Sequence, residues 1–316
     1  MKTNQQESRL LSTRHVRIQK YGLNIRYAEL GDRNDPTILL LHGVPENLQT
    51  WYDIAPTLSE NYHVLAIDWP GFGGSEAFSE MTDHNPRSFA SVGMDFLDTL
   101  QIEFANIMAT DIGLSPALIM GVEQPDRIGQ IVVMDGIPFP TSAYSSWEVR
   151  SFGRKNSIRA KALIKWFPKI SAKIAYNKGF YKGSNIPREI QDEFLKDGYN
   201  KTTQNAFLSY FQNNAPGQAY LESRIHEIQQ PVLVVWGRHD RFINVALGEL
   251  LDKSLPNSRL EIIEDSGHFV QMDKPEALLR VTQDFLQRNT RTNWRFTEKL
   301  PASLIRANGS PQAQNR

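Results

Sequence analysis

The sequence predicts an α/β protein with an eight-stranded, mostly parallel sheet flanked by helices and an inserted helical cap. Two observations predict this class. Short runs rich in β-branched residues alternate with helical patterns, which is typical of a parallel sheet covered by helices. Residues 137–230 then interrupt the alternation with helical periodicity and no convincing strand. We therefore expect these residues to form a cap between two strands of the sheet.

The predicted strands are short and apolar, and each has polar residues, Gly or Pro near its carboxyl end. In chain order they are Thr13–Ile18, Leu23–Leu30, Thr37–Leu41, His63–Ile67, Phe104–Ala109, Ile128–Met134, Val232–Trp236 and Leu260–Ile263. The first two alternate apolar with polar residues more than the others, so we expect an antiparallel pair at one edge. Helical patterns fill the gaps at Leu48–Leu58, Phe89–Leu100, Leu114–Gln124, Val245–Leu251 and Pro275–Leu286.

These elements divide the chain into a core, residues 13–136 and 231–290, and a cap, residues 137–230. Residues 1–12 and 301–316 are expected to be disordered tails, since the second is polar and contains Gly and Pro.

Composition excludes several classes of protein. The 316 residues include 35 Lys+Arg and 35 Asp+Glu, and this balance argues against a dedicated nucleic-acid binder. There is no cysteine, which excludes disulfides, a cysteine-based zinc site and a cysteine nucleophile. No apolar run has the length of a signal peptide or a transmembrane helix, so we expect a cytoplasmic protein without a membrane-spanning segment. The sequence leaves homo-oligomerisation open.

The strongest candidate for a nucleophile is Asp111, in the segment Ala-Thr-Asp-Ile-Gly between a predicted strand and a predicted helix. Small residues stand two positions before and two after it. A sharp strand-to-helix turn needs such neighbours, because its central residue is strained and closely surrounded by backbone. The turn raises the central side chain above the sheet edge. Helix capping by Asp111 is the alternative interpretation.

Two later motifs offer an acid and a base. Asp240 follows a strand in Trp-Gly-Arg-His-Asp, and His268 lies in Asp-Ser-Gly-His-Phe after the last strand. Their order behind Asp111 is nucleophile, acid, base, which is the order of α/β-hydrolases. Asp135, after the sixth strand, is a rival for the acid. The true partner must reach a ring nitrogen of His268. Val44, after the third strand, and Ile112 are the candidate backbone donors of an oxyanion hole.

Over roughly residues 13–290 the chain resembles α/β-hydrolase-fold proteins with an aspartate nucleophile, the branch of epoxide hydrolases and haloalkane dehalogenases. The segment His42-Gly43-Val44-Pro45-Glu46 is similar to the HGxPE segment of epoxide hydrolases. The resemblance implies that Asp111 attacks an epoxide carbon to form an ester, which water activated by His268 then hydrolyses. It implies a small, partly apolar substrate and no metal or cofactor.

The same resemblance implies further site residues. His42 would line the site, and cap tyrosines would protonate the opening epoxide oxygen. The candidate tyrosines are Tyr144, Tyr176, Tyr181, Tyr199, Tyr210 and Tyr220, of which Tyr210 and Tyr220 lie where one such residue is expected.

Two alternatives remain. Carbon–halogen hydrolysis would use the same Asp111, but Val44 and Ile112 have no side-chain N–H to hold the departing halide, as the Trp, Asn or Arg of dehalogenases does. A catalytically inactive ligand-binding protein is the other; the intact acid and base motifs argue against it.

The predicted cap is strongly basic. Residues 149–188 contain eleven Lys or Arg and neither Asp nor Glu. Four lysines would share one helix face if the helix continues through Pro168; they are Lys161, Lys165, Lys169 and Lys173. A solvated face with an apolar side packed on the body would explain the pattern. An anionic substrate, an anionic membrane surface or an acidic carrier protein are the alternatives.

Overall fold

In the computed structural model, which describes residues 8–140, 143–155, 157–183 and 186–290, the chain forms an eight-stranded sheet in the order β1-β2-β4-β3-β5-β6-β7-β8. The strands are β1 Thr13–Ile18, β2 Leu23–Leu30, β3 Thr37–Leu41, β4 His63–Ile67, β5 Ala105–Thr110, β6 Ile128–Met134, β7 Val232–Gly237 and β8 Ser258–Ile263. β1 pairs with β2, and β2 with β4, in antiparallel fashion; every other pairing is parallel. The predicted fold class is confirmed.

Helices cover both faces of the sheet. They are α1 Ile54–Leu58, α2 Pro86–Thr99, α3 Leu114–Glu123, α4 Trp147–Phe152, α5 Ile158–Trp166, α6 Pro168–Gly179, α7 Arg188–Tyr199, α8 Lys201–Arg224, α9 Val245–Ser254, α10 Val270–Asp273 and α11 Pro275–Thr290. Because successive strand residues point to opposite faces, Leu39 and Leu41 pack on the side of α2, α3 and α9. Ile38 and Leu40 pack on the side of α1 and α11.

Three expectations need correction. The predicted helix Leu48–Leu58 is a 3₁₀ turn, Leu48–Trp51, followed by α1. Residues 8–12 are not a disordered tail: Leu11 is buried, and its N–H donates to Gln49 at 2.7 Å. Residues 1–7 and 301–316 lie outside the described residues.

The lysine-bearing helix does not run through Pro168, which is the third correction. α5 ends at Trp166, Phe167 leaves the helical region at φ −129° and ψ 51°, and Pro168 begins α6. Proline cannot donate to the preceding turn, so it is tolerated at a helix start and ends the helix before it.

Residues 137–230 contain α4 to α8, and their inner faces join the main core, where Phe207 and Leu221 are buried. The division of the chain at residues 136 and 231 stays a prediction. Across the described part of the chain, no helix combines the length and the apolar character needed to cross a bilayer.

Candidate active site

Asp111 sits at the sharp turn between β5 and α3. Its φ is +49°, a left-handed conformation that costs energy in a residue with a side chain. The turn is tight on both sides. A Cβ at Gly113 would lie 2.8 Å from the Leu41 carbonyl oxygen, and one at Gly43 would lie 2.7 Å from the Asp111 Cβ. The small residue two positions after Asp111 is therefore a steric requirement.

His268 lies between two carboxylates. Its Nδ1 is 2.8 Å from Asp240 Oδ2, and its Nε2 is 3.5 Å from Asp111 Oδ2. The other Asp240 oxygen accepts the N–H groups of Phe242 and Ile243 at 2.7 and 2.9 Å, which fixes the carboxylate. The imidazole is therefore held by one carboxylate and aimed at the other.

Asp135 does not contact the histidine. Parallel pairing of β6 with β7 places Asp135 beside Gly237, whose N–H donates to Asp135 Oδ1 at 3.1 Å. The second carboxyl oxygen is buried with no partner among the described residues. Burial, reinforced by the negative charge of Asp240, raises the pKa of Asp135 well above its usual range. The raised pKa favours the protonated, neutral form of this carboxyl beside the Asp240–His268 pair.

The charge state of His268 follows from its neighbours. Burial lowers the pKa of His268, but the charge of Asp240 and the hydrogen bond to Asp111 outweigh it, so the pKa lies well above the ordinary value. The free site therefore favours an imidazolium between two carboxylates.

The predicted oxyanion donors lie beside Asp111. Leu41 and Ala109 are register partners in β3 and β5, so the loop after β3 passes alongside Asp111. The Val44 N–H donates to Asp111 Oδ1 at 3.0 Å. Ile112 follows Asp111 in the same turn. The arrangement can hold negative charge on a carboxyl oxygen of Asp111.

His42 is placed differently from the expectation. Its Nδ1 lies 2.7 Å from the Gly43 carbonyl oxygen, and its Nε2 accepts the Trp69 N–H at 3.0 Å. Burial lowers the pKa of His42, which keeps the ring neutral for these two bonds. It lines neither chamber described below and instead fixes the loop that carries Val44.

Two adjoining chambers lie near Asp111, which lines the first of them. The first encloses about 630 Å³ that opens to solvent; Asp111 and His268 lie in a lining that is otherwise mostly aliphatic and aromatic. The second encloses about 520 Å³ and is more polar. They share the side chains of Pro45, Ile164, Ser171 and Phe207. A molecule with an apolar part and a hydrogen-bonding part fits such a pair.

The second chamber holds polar groups that the sequence did not single out as functional. Glu46 and Asp197 line it, and burial raises their pKa values to about 8 and about 7. Tyr176 and Thr203 also line it, and their hydroxyls are buried without a hydrogen-bond partner in the described ranges. Burial, with the charges of Glu46 and Asp197, raises the pKa of Tyr176 and keeps its hydroxyl protonated.

The two tyrosines favoured by the sequence do not face the chambers. The buried Tyr210 hydroxyl donates to the Ile112 carbonyl at 2.8 Å. Tyr210 therefore stabilises the turn that carries Asp111. Tyr220 lies at the surface, where Arg224 donates to its hydroxyl and Arg87 stacks 4.3 Å from the ring centre. The remaining candidates outside the chamber linings are Tyr144, Tyr181 and Tyr199.

The helices above the sheet also contact the backbone of His268. The His268 N–H donates to the carbonyl of Gly179, the last residue of α6, at 2.6 Å. A Cβ at Gly179 would lie 2.3 Å from the Phe269 ring. No sequence signal marked this contact, because it joins segments far apart in the chain. Within the described ranges, no group of three or more His, Asp or Glu side chains could hold a metal ion.

Comparisons with known proteins agree with this architecture. A family model described as the alpha/beta hydrolase fold matches residues 36–275. The 2-hydroxy-6-oxononadienedioate/2-hydroxy-6-oxononatrienedioate hydrolase 2 of Pseudomonas putida is 27% identical, over 87% of this chain and 96% of its own. Epoxide hydrolase 3 of Xenopus tropicalis is 25% identical, over 86% and 77%. The structure of epoxide hydrolase CorEH superposes with a TM-score of 0.75 at 20% identity, covering 88% of this chain and 99% of that one.

Proposed function

The chain belongs to the alpha/beta hydrolase fold family, and we propose that within it the protein is an epoxide hydrolase-like enzyme working through an ester on Asp111. One observation carries the proposal: His268 bridges Asp240 and Asp111, while the Val44 N–H donates to the other Asp111 oxygen. A carboxylate at this turn is suited to attack strained or activated carbon. Relatives named epoxide hydrolases support the assignment.

In the first step, one Asp111 oxygen attacks an epoxide carbon and the ring carbon–oxygen bond breaks. The departing oxygen takes the hydroxyl proton of Tyr176, the cap tyrosine with an unpartnered hydroxyl in the adjoining chamber. The product of this step is a glycol monoester of Asp111. This assignment replaces Tyr210 and Tyr220, whose hydroxyls are engaged elsewhere.

In the second step, His268 takes a proton from water and the resulting hydroxide attacks the ester carbonyl. The oxyanion is stabilised by the N–H groups of Val44 and Ile112; losing one such donor typically costs ~2.7–4 kcal/mol. Collapse releases the diol, whose oxygen takes the proton from His268. The proton left on the Asp111 carboxyl returns to the Tyr176 phenolate. One epoxide and one water have then become one diol, and the enzyme is back in its starting state.

The two carboxylates beside His268 also make its pKa depend on the stage of the reaction. Ester formation removes the charge of Asp111, which is one cause of the raised pKa of His268. The pKa of the imidazole therefore falls when the ester forms, and its extra proton passes to solvent, which leaves a neutral base for the stage that needs it. A solvent proton returns to His268 once the Asp111 carboxylate is restored.

The alternative of carbon–halogen hydrolysis requires a donor for the leaving halide. The first chamber, as far as the chain is described, has no Trp, Asn or Arg side chain in its lining. We therefore rank this reaction second.

The test is intact-protein mass spectrometry of His268→Gln after exposure to styrene oxide, 1,2-epoxyhexane and matching bromoalkanes. We expect a mass gain equal to the whole epoxide, mapped to Asp111, because the ester forms but is not hydrolysed. His239→Gln is the matched control: this histidine is exposed, and its variant should accumulate no ester.

The other outcomes are equally informative. A gain equal to the organohalide minus HX would move the assignment to carbon–halogen hydrolysis. No adduct from any compound, or an adduct that persists in Asp111→Ala/His268→Gln, would contradict Asp111 as the nucleophile.

A further inference from the structure

The outer surface of α5 and α6 carries large apolar side chains that the described part of the chain leaves uncovered. Trp166 is 74% exposed and Ile170 is 53% exposed, and Phe167 between them is also exposed. Scattered exposed apolar residues are normal, but a cluster rimmed by charge marks an interaction surface. We call this surface the apolar lysine face; it comprises Lys165, Trp166, Lys169, Ile170, Lys173 and Ile174.

Helix geometry explains how these residues come together. Ile170 and Ile174 are four positions apart on α6, as are Lys169 and Lys173, so they form two adjacent rows on its exposed side. The neighbouring side of the helix, including Ser171 and Ala175, lines the first chamber. Trp166 is the last residue of α5, two positions before the start of α6 at Pro168, so it lies next to this end of α6.

The chain segment that carries this face has charged residues of one sign. Residues 149–188 contain eleven Lys or Arg and no Asp or Glu. Lys178 is paired with Glu148 at 2.7 Å, whereas Lys165 and Lys173 form no ion pair with any described residue. Long lysine side chains can lay their methylenes along apolar surface and keep their charge outside. The face therefore presents free positive charge beside aromatic and aliphatic groups.

The face also borders the opening of the first chamber. Ile174 is 41% exposed and is at the same time part of the chamber lining. If another surface covered this face, an apolar compound leaving that surface would reach the chamber at Ile174.

We propose that the apolar lysine face docks on an anionic lipid bilayer. Trp166, Ile170 and Ile174 would enter the boundary between headgroups and acyl chains, and the lysines would lie at the lipid phosphates. Helices that lie in this boundary combine Trp, Phe or aliphatic residues with Lys and Arg in the same way. Docking does not depend on the chemistry of Asp111; only the corollary that substrates enter from the bilayer rests on the proposed function.

The test is flotation of the purified full chain with vesicles of phosphatidylcholine alone or of equal parts phosphatidylcholine and phosphatidylglycerol. We expect binding to the anionic vesicles only, weakened when salt rises from about 0.1 M to about 1 M. Replacing Lys165 and Lys173 by Gln should weaken binding about fivefold for each lysine. Trp166→Ser with Ile170→Ser should weaken it about tenfold or more.

Matched controls come from α9, on the body of the protein. Lys253→Gln removes an exposed lysine and Leu250→Ser removes a side chain that is 36% exposed, and neither should change binding. Thermal unfolding of each variant shows that it is folded.

Three results would overturn the proposal. The first is equal binding, or no binding, to the two kinds of vesicle. The second is a loss of binding in the variants of the apolar lysine face that is no greater than in the α9 controls. The third is binding that depends on the lysines but not on Trp166 and Ile170. The last would show electrostatic attraction to the vesicle surface without insertion of the apolar side chains. A dimer in sedimentation velocity that Trp166→Ser dissociates, without vesicle binding, would show that a second copy covers the face.

Discussion

Tyr210→Phe is expected to destabilise the protein and to leave ester formation intact. The Tyr210 hydroxyl is buried and donates to the Ile112 carbonyl at 2.8 Å, which ties α8 to the turn that carries Asp111. The ring packs 5.0 Å from the Phe89 ring, centre to centre, and phenylalanine keeps that contact. No cavity therefore forms, and the change isolates one hydrogen bond.

The size of the effect follows from what the substitution leaves behind. The Ile112 carbonyl remains buried without its donor, and an unsatisfied buried group costs about 1–3 kcal/mol. In chains of 150–250 residues each kcal/mol lowers Tm by roughly 2–4 °C, and by less in a longer chain. We expect a fall of a few degrees in a thermal scan and a matching fall in the urea midpoint.

The control for this prediction is Tyr220→Phe. The Tyr220 hydroxyl is part-buried and accepts a hydrogen bond from Arg224. Because Arg224 keeps Glu227 as a partner, this variant should lose less stability than Tyr210→Phe. The reasoning would be refuted if Tyr210→Phe melted like the parent protein while losing ester formation in the His268→Gln background. That result would restore Tyr210 as the proton donor implied by the family resemblance.

Three further predictions concern buried ionisable groups. In Asp111→Asn, a neutral stand-in for the ester, the pKa of His268 measured by NMR titration should fall relative to the parent; an unchanged value would contradict the ordering of steps. Glu46 has its pKa raised to about 8 by burial, so the folded state binds its proton more tightly than the unfolded state and stability falls as pH rises from about 4.5 to 8. In urea unfolding, the free energy of unfolding of Glu46→Gln should rise relative to that of the parent by up to about 1.4 kcal/mol per pH unit across this window. If the free energies of the two proteins changed in parallel with pH, the raised pKa of Glu46 would be refuted. In single-turnover assays, Asp240→Asn should slow ester hydrolysis strongly and Asp135→Asn only weakly, since only Asp240 contacts His268; the reverse order would make Asp135 the acid.

The sheet was predictable because each strand carries its own signal. β3, β4 and β6 coincide with the predicted ranges residue for residue, since apolar runs bounded by polar residues are local patterns. The nucleophile turn was predictable for a similar reason: small neighbours around Asp111 reflect steric contacts within one turn. The 3₁₀ turn at Leu48–Trp51 was not distinguished from α-helix, because both bury the same apolar residues.

The parts that depend on long-range packing were not predictable. Asp135 and Asp240 both follow parallel strands and reach the same edge of the sheet, so only side-chain geometry shows which one contacts His268. The surroundings of Tyr210 and Tyr220 were not predictable because the rotation of α8 on the body decides where their side chains point, and position in the chain does not encode that rotation.

The hydrogen bond from the His268 N–H to the Gly179 carbonyl has a kinetic consequence. Gly179 ends α6, the helix that separates the first chamber from solvent. Any outward movement of α6 that widens the chamber must lengthen or break this bond and release the backbone of the base. Under the proposed mechanism a reactant would enter with this bond broken and water would be activated with it formed, so turnover could not exceed the rate at which α6 opens and closes.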